Sequence, residues 1–365
     1  MTIKSKKTGW LSRSLRGVAM AVVLGGCSSL LGTAHAGYAA IVVSESDGQV
    51  LTAVNADEQN HPASLAKMMT LYLTFQALEN GKLKLDQELP VSAWAAGRAP
   101  TKLDLRRGQT VTVLDCVLGM ITKSANDAAT VVAEGLGGSE GEFVELMNAQ
   151  ALRLGMNNTH FENASGLPDP NDTTTARDMT KLAMALYHDF PQYAPYFATK
   201  EFMFRGRLVS GHNHLMDRYP GMDGLKTGFT NASGFNLAST AVRDGHRLFS
   251  VVMGGHTAAT RDRLMARLLD DGFEDRETPA ALVAQAGGGA SSGAGGKARR
   301  LVAALSPIGT AEADPAPAAS RRHHRRGKSA TVAHNTCTRH KGTTCPAAAA
   351  HPAQKVALAE KSPES

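Results

Sequence analysis

The chain has little cysteine, no apolar run long enough to hold a bilayer, and no excess of positive charge in its middle. Four cysteines are spread over 365 residues. Cys116 lies in an apolar, helical-looking run from Leu114 to Ile121 and reads as a small buried hydrophobe, so the middle of the chain has no second thiol to bridge. The stretch Val18-Ala19-Met20-Ala21-Val22-Val23-Leu24 begins an apolar run too short for a stable spanning helix. The net charge of +6 is unevenly placed. Residues 1–36 hold five Lys/Arg and no acid, residues 277–365 hold twelve bases and five acids, and residues 37–276 hold 22 bases and 28 acids. The globular part is therefore acidic, and its composition gives no ground for nucleic-acid binding.

What is present at the N-terminus is an export signal. Lys4, Lys6, Lys7, Arg13 and Arg16 form a basic head, the short apolar run follows, and Ala34-His35-Ala36 offers a small-x-small cleavage site. Leu24-Gly25-Gly26-Cys27 resembles a lipoprotein cleavage box, but Gly at its second position fits poorly, and the cut after Ala36 is preferred. On either cut the mature domain works outside the cytoplasm, in the periplasm or attached to the envelope. Export also permits a disulfide between Cys337 and Cys345. His334, Cys337, His340 and Cys345 could be drawn as a metal site, but no helix or strand signal surrounds them to hold ligands.

The middle reads as one α+β domain over 37–276. Tyr38 to Val43 and Gln49 to Val54 read as strands joined by the turn residues Ser46-Asp47-Gly48. A helix follows from Pro62 to about Leu78, ended by Asn80-Gly81. Helical patterns then run over 114–122, 126–136, 142–154 and 175–187, with a loop dense in Asn, Gly, Pro and Asp at 157–172. Strands are expected at 202–204, 234–241 and 247–253, and an amphipathic helix at 258–269 closes the domain. This order implies one antiparallel sheet built from both chain ends and packed by helices, with a helical insertion as a second lobe and a cleft between them. Beyond Glu277, Gly/Ser and Ala/Pro stretches and the run Arg321-Arg322-His323-His324-Arg325-Arg326-Gly327-Lys328 predict a disordered, low-complexity basic tail. That basic run suits contact with anionic envelope surfaces, or it is a solvated charge block.

Chemistry is suggested by three short motifs. In His61-Pro62-Ala63-Ser64-Leu65-Ala66-Lys67-Met68-Met69, the hydroxyl of Ser64 and the amine of Lys67 fall on one face of a first helical turn. An amine beside a hydroxyl can take its proton and make it a nucleophile. A helix start also gathers free backbone N–H groups that stabilise anionic oxygen. Ser124-Ala125-Asn126 sits in a turn between two helical runs and can aim a hydroxyl and an amide into the same cleft. In Lys226-Thr227-Gly228, followed by Phe229, the Gly admits a substrate close to the backbone while Lys and Thr offer a charge and a hydroxyl to an anionic group. Each motif alone also has a plain structural reading, a helix cap or a tight turn. Lys7-Thr8-Gly9 in the export signal repeats the third motif without use.

Together, in this order and context, the motifs resemble the penicillin-recognising serine acyl-enzymes, and most closely the low-molecular-weight penicillin-binding proteins of the D-alanyl-D-alanine carboxypeptidase type. Lys123-Ser124-Ala125-Asn126-Asp127-Ala128-Ala129, Gly224-Leu225-Lys226-Thr227-Gly228-Phe229-Thr230 and Phe161-Glu162-Asn163-Ala164-Ser165-Gly166-Leu167-Pro168 agree with that family. The resemblance implies the serine β-lactamase/transpeptidase-like fold. It implies that Ser64 is acylated by the D-Ala-D-Ala end of peptidoglycan stem peptides, and by β-lactam antibiotics. Lys67 would be the base and Ser124 a relay to the leaving D-alanine. Asn126 would hold the substrate amide, and Lys226 and Thr227 the terminal carboxylate. The N–H groups of Ser64 and Phe229 would form the oxyanion hole beside Gly228. Neither metal nor cofactor is expected.

Two family features, a second β-rich domain and a C-terminal amphipathic helix, are not visible in the sequence. Alternatives are a D,D-endopeptidase, a β-lactamase and a non-catalytic wall-binding protein. Glu162 lies at about the right distance after Ser124 for a deacylating β-lactamase glutamate, but the residues after it lack the Glu-x-x-Leu-Asn pattern.

Overall fold

The computed structural model describes residues 38–287. The expected export signal with Cys27, the basic run 321–328 and the pair Cys337 and Cys345 lie outside the described residues. The fold opens on a hairpin, β1 (Ala39–Ser44) and β2 (Val50–Val54), paired antiparallel. A short 3-10 turn, Ala63–Ala66, leads into α1 (Lys67–Glu79), which stops at Asn80. Two small strands, β3 (Glu88–Pro90) and β4 (Thr110–Thr112), pair with each other around α2 (Ala93–Ala96). Four helices follow: α3 (Val113–Ile121), α4 (Asn126–Gly137), α5 (Glu140–Arg153) and α6 (Ala176–Asp189). After the hairpin β5 (Glu201–Phe204) and β6 (Arg207–Ser210) come β7 (Met222–Thr230), β8 (Gly234–Arg243) and β9 (His246–Gly255), then α7 (Ala258–Phe273) and α8 (Ala280–Ala286).

Helix starts follow from side-chain caps that supply acceptors to orphan N–H groups, each worth about 1 kcal/mol. Thr112 accepts from the N–H of Asp115, Ser139 from Glu142, and Thr175 from Asp178. Thr257 and Thr260 cap each other reciprocally at the start of α7.

The main sheet has the order β2-β1-β9-β8-β7, antiparallel throughout, so the first hairpin lies against the last strand. This is the expected sheet from both chain ends. Both of its faces are covered, which is why β1 (Ala-Ala-Ile-Val-Val-Ser) is apolar without alternation. Ile41, Phe249, Val251 and Met253 join the larger core with α1 and the helical lobe. Ala40, Val42, Leu237 and Val252 pack on Leu264, Met265 and Leu268 of α7 and on Val283 of α8. Ten of the thirteen residues of α1 are buried, so it is a central helix covered on all sides rather than an amphipathic one. Its buried hydroxyls are satisfied: Thr70 donates to the carbonyl of Ala164 at 2.6 Å, and Thr74 to that of Thr70 at 2.6 Å.

Three elements differ from expectation. The stretch around Lys226-Thr227-Gly228 is not a turn but the edge strand β7, which the sequence hides because it is buried almost end to end and carries no polar/apolar alternation. β6 completes a hairpin of which only the first strand was expected. The ordered fold also runs past residue 276: α8 lies inside the stretch expected to be tail, and its Val283 is fully buried against α7. Among the described residues no helix is long and apolar enough to cross a membrane.

Candidate active site

Ser64 sits in the 3-10 turn and Lys67 is the first residue of α1. The turn is held from behind by the sheet. The fully buried Asn236 of β8 donates to the carbonyls of His61 at 3.0 Å and Pro62 at 3.2 Å, while its own carbonyl accepts from the N–H of Gly254 at 3.0 Å. From the other side Gly166, at φ +70°, lies so close that a Cβ there would collide with the carbonyl of Ala63, 1.7 Å away. β7 approaches as closely: a Cβ on Gly228 would lie 3.2 Å from the N of Ser64 and 3.3 Å from the carbonyl oxygen of Pro62. The glycine of the third motif thus lies in tight contact with the first.

The amine of Lys67 is completely buried and within hydrogen-bond distance of three oxygens, Ser64 Oγ at 3.1 Å, Asn126 Oδ1 at 2.7 Å and the carbonyl of Ser165 at 2.6 Å; as a neutral amine it donates to the latter two and accepts from the Ser64 hydroxyl. Burial, then repulsion from the nearby Lys226, holds its pKa well below the usual lysine range. A neutral amine beside a hydroxyl is the arrangement proton abstraction requires.

Ser124 comes from the turn between α3 and α4, and Asn126 is the first residue of α4. Ser124 is buried in the left-handed region, at φ +59°, and its Oγ has no hydrogen-bond partner among the described residues. A backbone held in so sparsely populated a conformation is a mark of functional turns. The turn is tied down by the N–H of Asn126 to the carbonyl of Thr101 at 2.8 Å and by Thr101 Oγ1 to the carbonyl of Ser124 at 3.1 Å. Behind it Asp127 accepts from the N–H groups of Leu103, Leu105 and Ala128. Lys226 and Thr227 are both buried on β7, and the Lys226 amine donates to the carbonyl of Thr227 at 2.8 Å. Phe229 is half-buried one residue beyond Gly228 and pairs with Phe235 across the sheet.

A family profile described as D-alanyl-D-alanine carboxypeptidase, peptidase family S11, matches residues 29–257. The chain belongs to that family. It is 39% identical over 245 residues to the D-alanyl-D-alanine carboxypeptidase DacC of Escherichia coli K12 and 38% identical to DacA of the same strain. Each match covers 65% of this chain and 61% of the relative, so the chain spans about three fifths of these relatives' length. Among solved structures it is similar to penicillin-binding protein 5 of Haemophilus influenzae, with TM-score 0.63, 34% identity, and coverage of 65% of this chain and 70% of that one. Penicillin-binding protein D2 of Listeria monocytogenes in its ampicillin-bound form gives TM-score 0.60 and 33% identity over 67% of this chain and 99% of that one. The fold is the penicillin-binding-protein fold, α+β with an antiparallel sheet packed by helices.

Within this family fold, two partners of Lys67 escape a reading by motif. Asn126, expected to face substrate, spends its carbonyl on Lys67 and donates its amide to the carbonyl of Ala99 at 2.9 Å. Ser165 acts through its backbone, which no side-chain pattern reports. The signal lies instead in Asn163, whose Oδ1 accepts from the N–H groups of Ser165 and Leu167 and shapes the loop. Glu162 lies 3.3 Å from the ring nitrogen of His160 and lines a hollow with Trp94 and Glu140, which assigns it no role at Ser64.

Proposed function

We propose that the protein is an exported serine D-alanyl-D-alanine carboxypeptidase that removes the terminal D-alanine of peptidoglycan stem peptides. The single observation that carries the reading is the buried amine of Lys67, 3.1 Å from Ser64 Oγ and kept from charging by burial and by Lys226. Neutral Lys67 takes the proton of Ser64 as its Oγ attacks the carbonyl of the penultimate D-alanine. The N–H groups of Ser64 and Phe229 receive the developing oxyanion, each donor worth about 3 kcal/mol of barrier. The proton reaches the leaving amine through Ser124, whose unpartnered hydroxyl suits a relay. Lys226 and Thr227 hold the terminal carboxylate, Gly228 lets the substrate backbone lie along β7, and Asn126 takes the substrate amide once it exchanges a present partner. Water then hydrolyses the ester.

β-Lactams acylate Ser64 by the same first step, in keeping with the ampicillin-bound relative. Residues 37–276, extended by α8, form the catalytic domain, residues 1–36 the export signal, and the basic tail contacts anionic envelope surfaces. The protein works in the periplasm or at the envelope.

The test is release of free D-alanine from a pentapeptide ending in D-Ala-D-Ala, with Ser64→Ala as control. Release by the wild type and not by the variant is expected. A wild type that releases none, or a variant that still does, defeats the reading.

A further inference from the structure

The β5–β6 hairpin turns one face to the core and the other to solvent. In its register Phe202 opposes Val209 and Met203 opposes Leu208. Phe202 and Phe204 point inward and are buried, as the two-residue period of a strand requires. Met203 and Leu208 therefore share the outer face, where they are 61% and 57% exposed. The other exposed large apolar side chains among the described residues lie singly on β2, α2 and α8 or six residues apart on α5. The hairpin thus carries a directly opposed apolar pair in water.

Charge gathers beside that pair. A groove of 610 Å³ separates the hairpin from the segment 102–109, and Leu208 is part of its wall. Lys102, Arg106, Lys123, Arg205 and Arg207 line it with a single carboxylate, Asp104. This basic surface belongs to a domain that is acidic as a whole, with 22 bases and 28 acids over residues 37–276. Among the described residues none of the five cations forms an ion pair, although most arginines elsewhere in the domain do. The surface is held in shape. Arg205 donates to the carbonyl of Thr110 at 2.7 Å and to Gln109 Oε1 at 2.6 Å, clamping the hairpin to the segment opposite, and it stacks over Phe204 at 5.0 Å. None of these side chains has a part in the reaction described above.

Exposed apolar side chains rimmed by polar ones mark a docking surface for protein or membrane. A protein interface buries a core depleted of charge, and two apolar side chains among five cations do not supply one. The boundary of an anionic bilayer asks for both features. Apolar side chains enter below the headgroups, while Lys and Arg meet the phosphates, which the arginine fork matches with paired N–H groups.

We propose that the outer face of the β5–β6 hairpin and the basic groove beside it dock the catalytic domain on an anionic phospholipid surface, with Met203 and Leu208 entering the headgroup layer and the five cations meeting lipid phosphates. This surface is separate from the basic run 321–328. Lys123 precedes Ser124 in the chain, so docking holds the cleft at the membrane. The inference takes from the reading above only that the domain works at the envelope, and it is independent of the reaction.

The experiment places a tryptophan reporter in the full chain and reads its quenching by vesicles of brominated phosphatidylglycerol and phosphatidylcholine, with the wild type as background. Met203→Trp and Leu208→Trp are expected to be quenched. Leu152→Trp, on the exposed side of α5, is the control that binding through the basic tail alone would not distinguish from them, and it is expected to stay unquenched. Adding Lys102→Gln/Arg207→Gln to Met203→Trp should raise the lipid concentration for half-quenching about twentyfold, since each cation near an anionic surface is worth about fivefold in affinity. The charge-keeping Lys102→Arg/Arg207→Lys should leave it unchanged. The proposal is overturned by no quenching at 203 and 208, by equal quenching at 152, by equal quenching with pure brominated phosphatidylcholine, or by an unmoved midpoint in the charge-removing variant. An emission shift at 203 that grows with protein concentration in the absence of lipid overturns it too, because the face then binds a second copy. Release of D-alanine without vesicles is read in parallel. Release with no quenching ends this inference alone; quenching at 203 and 208 without release leaves docking standing and ends the carboxypeptidase reading.

Discussion

Replacing Lys67 by Met separates the two things its amine does. The thioether chain is unbranched and fills nearly the same space. It leaves Asn126 Oδ1 and the carbonyl of Ser165 without the donor that now sits 2.7 and 2.6 Å away, at about 1–3 kcal/mol for each buried acceptor. Against this, the folded chain no longer buries an ionisable amine. The sign of that second effect follows from linkage. The folded-state pKa of Lys67 lies well below the ordinary 10.5. Between the two values the unfolded chain binds a proton that the folded chain does not, so stability rises with pH, and below the folded value the full cost of neutralising or burying the charge is present. The slope is about 1.4 kcal/mol per pH unit for one proton. Urea unfolding at about pH 8.5 and 9.5, just under the ordinary lysine range, should show the wild type gaining stability relative to Lys67→Met by about that slope. Acylation by a fluorescent penicillin should fall by about 10²–10⁴ in the variant, the usual worth of a positioned base. Identical pH slopes for the two proteins, or acylation within tenfold of wild type, would refute a neutral Lys67 acting as base.

Three further outcomes follow from the same geometry. Lys226→Gln removes the strongest charge opposing protonation of Lys67, so the acid limb of the acylation pH profile should move to higher pH; a limb that stays in place contradicts the coupling. Asn236→Ala deletes three hydrogen bonds at a fully buried site and should cost about 2–4 kcal/mol in urea unfolding while slowing acylation, because the carbonyls of His61 and Pro62 no longer anchor the turn; wild-type stability would show that the anchor is idle. Gly228→Val puts a branched side chain 3.2 Å from the N of Ser64 and should lower the penicillin adduct rate seen by intact mass by about a hundredfold, the penalty for misplacing a reacting group by about an ångström. An unchanged rate would mean that β7 can move aside at no cost.

Local chemistry wrote much of this protein legibly. Caps such as Thr175 and the stop at Asn80-Gly81 mark helix ends because they act within one turn of the chain. The spacing of Ser64 and Lys67 brings hydroxyl and amine together because that contact too is made within one turn. The strand β7 was not legible, since a strand buried on both faces carries no alternation, and neither was α8, whose alanine-rich sequence differs little from a linker until Val283 finds α7. Least legible was what makes the amine useful. Asn126 reaches Lys67 across 59 residues and the Ser165 carbonyl across 98, Asn236 holds the nucleophile's turn from about 175 residues away, and Lys226 acts through space from the far edge of the sheet. Sequence alone determined which groups could react and where the chain turns, because those depend on neighbours along the backbone. Tertiary packing alone decided that the amine is dry, triply hydrogen-bonded and opposed by a second cation, because desolvation and charge repulsion exist only once distant segments have closed around it.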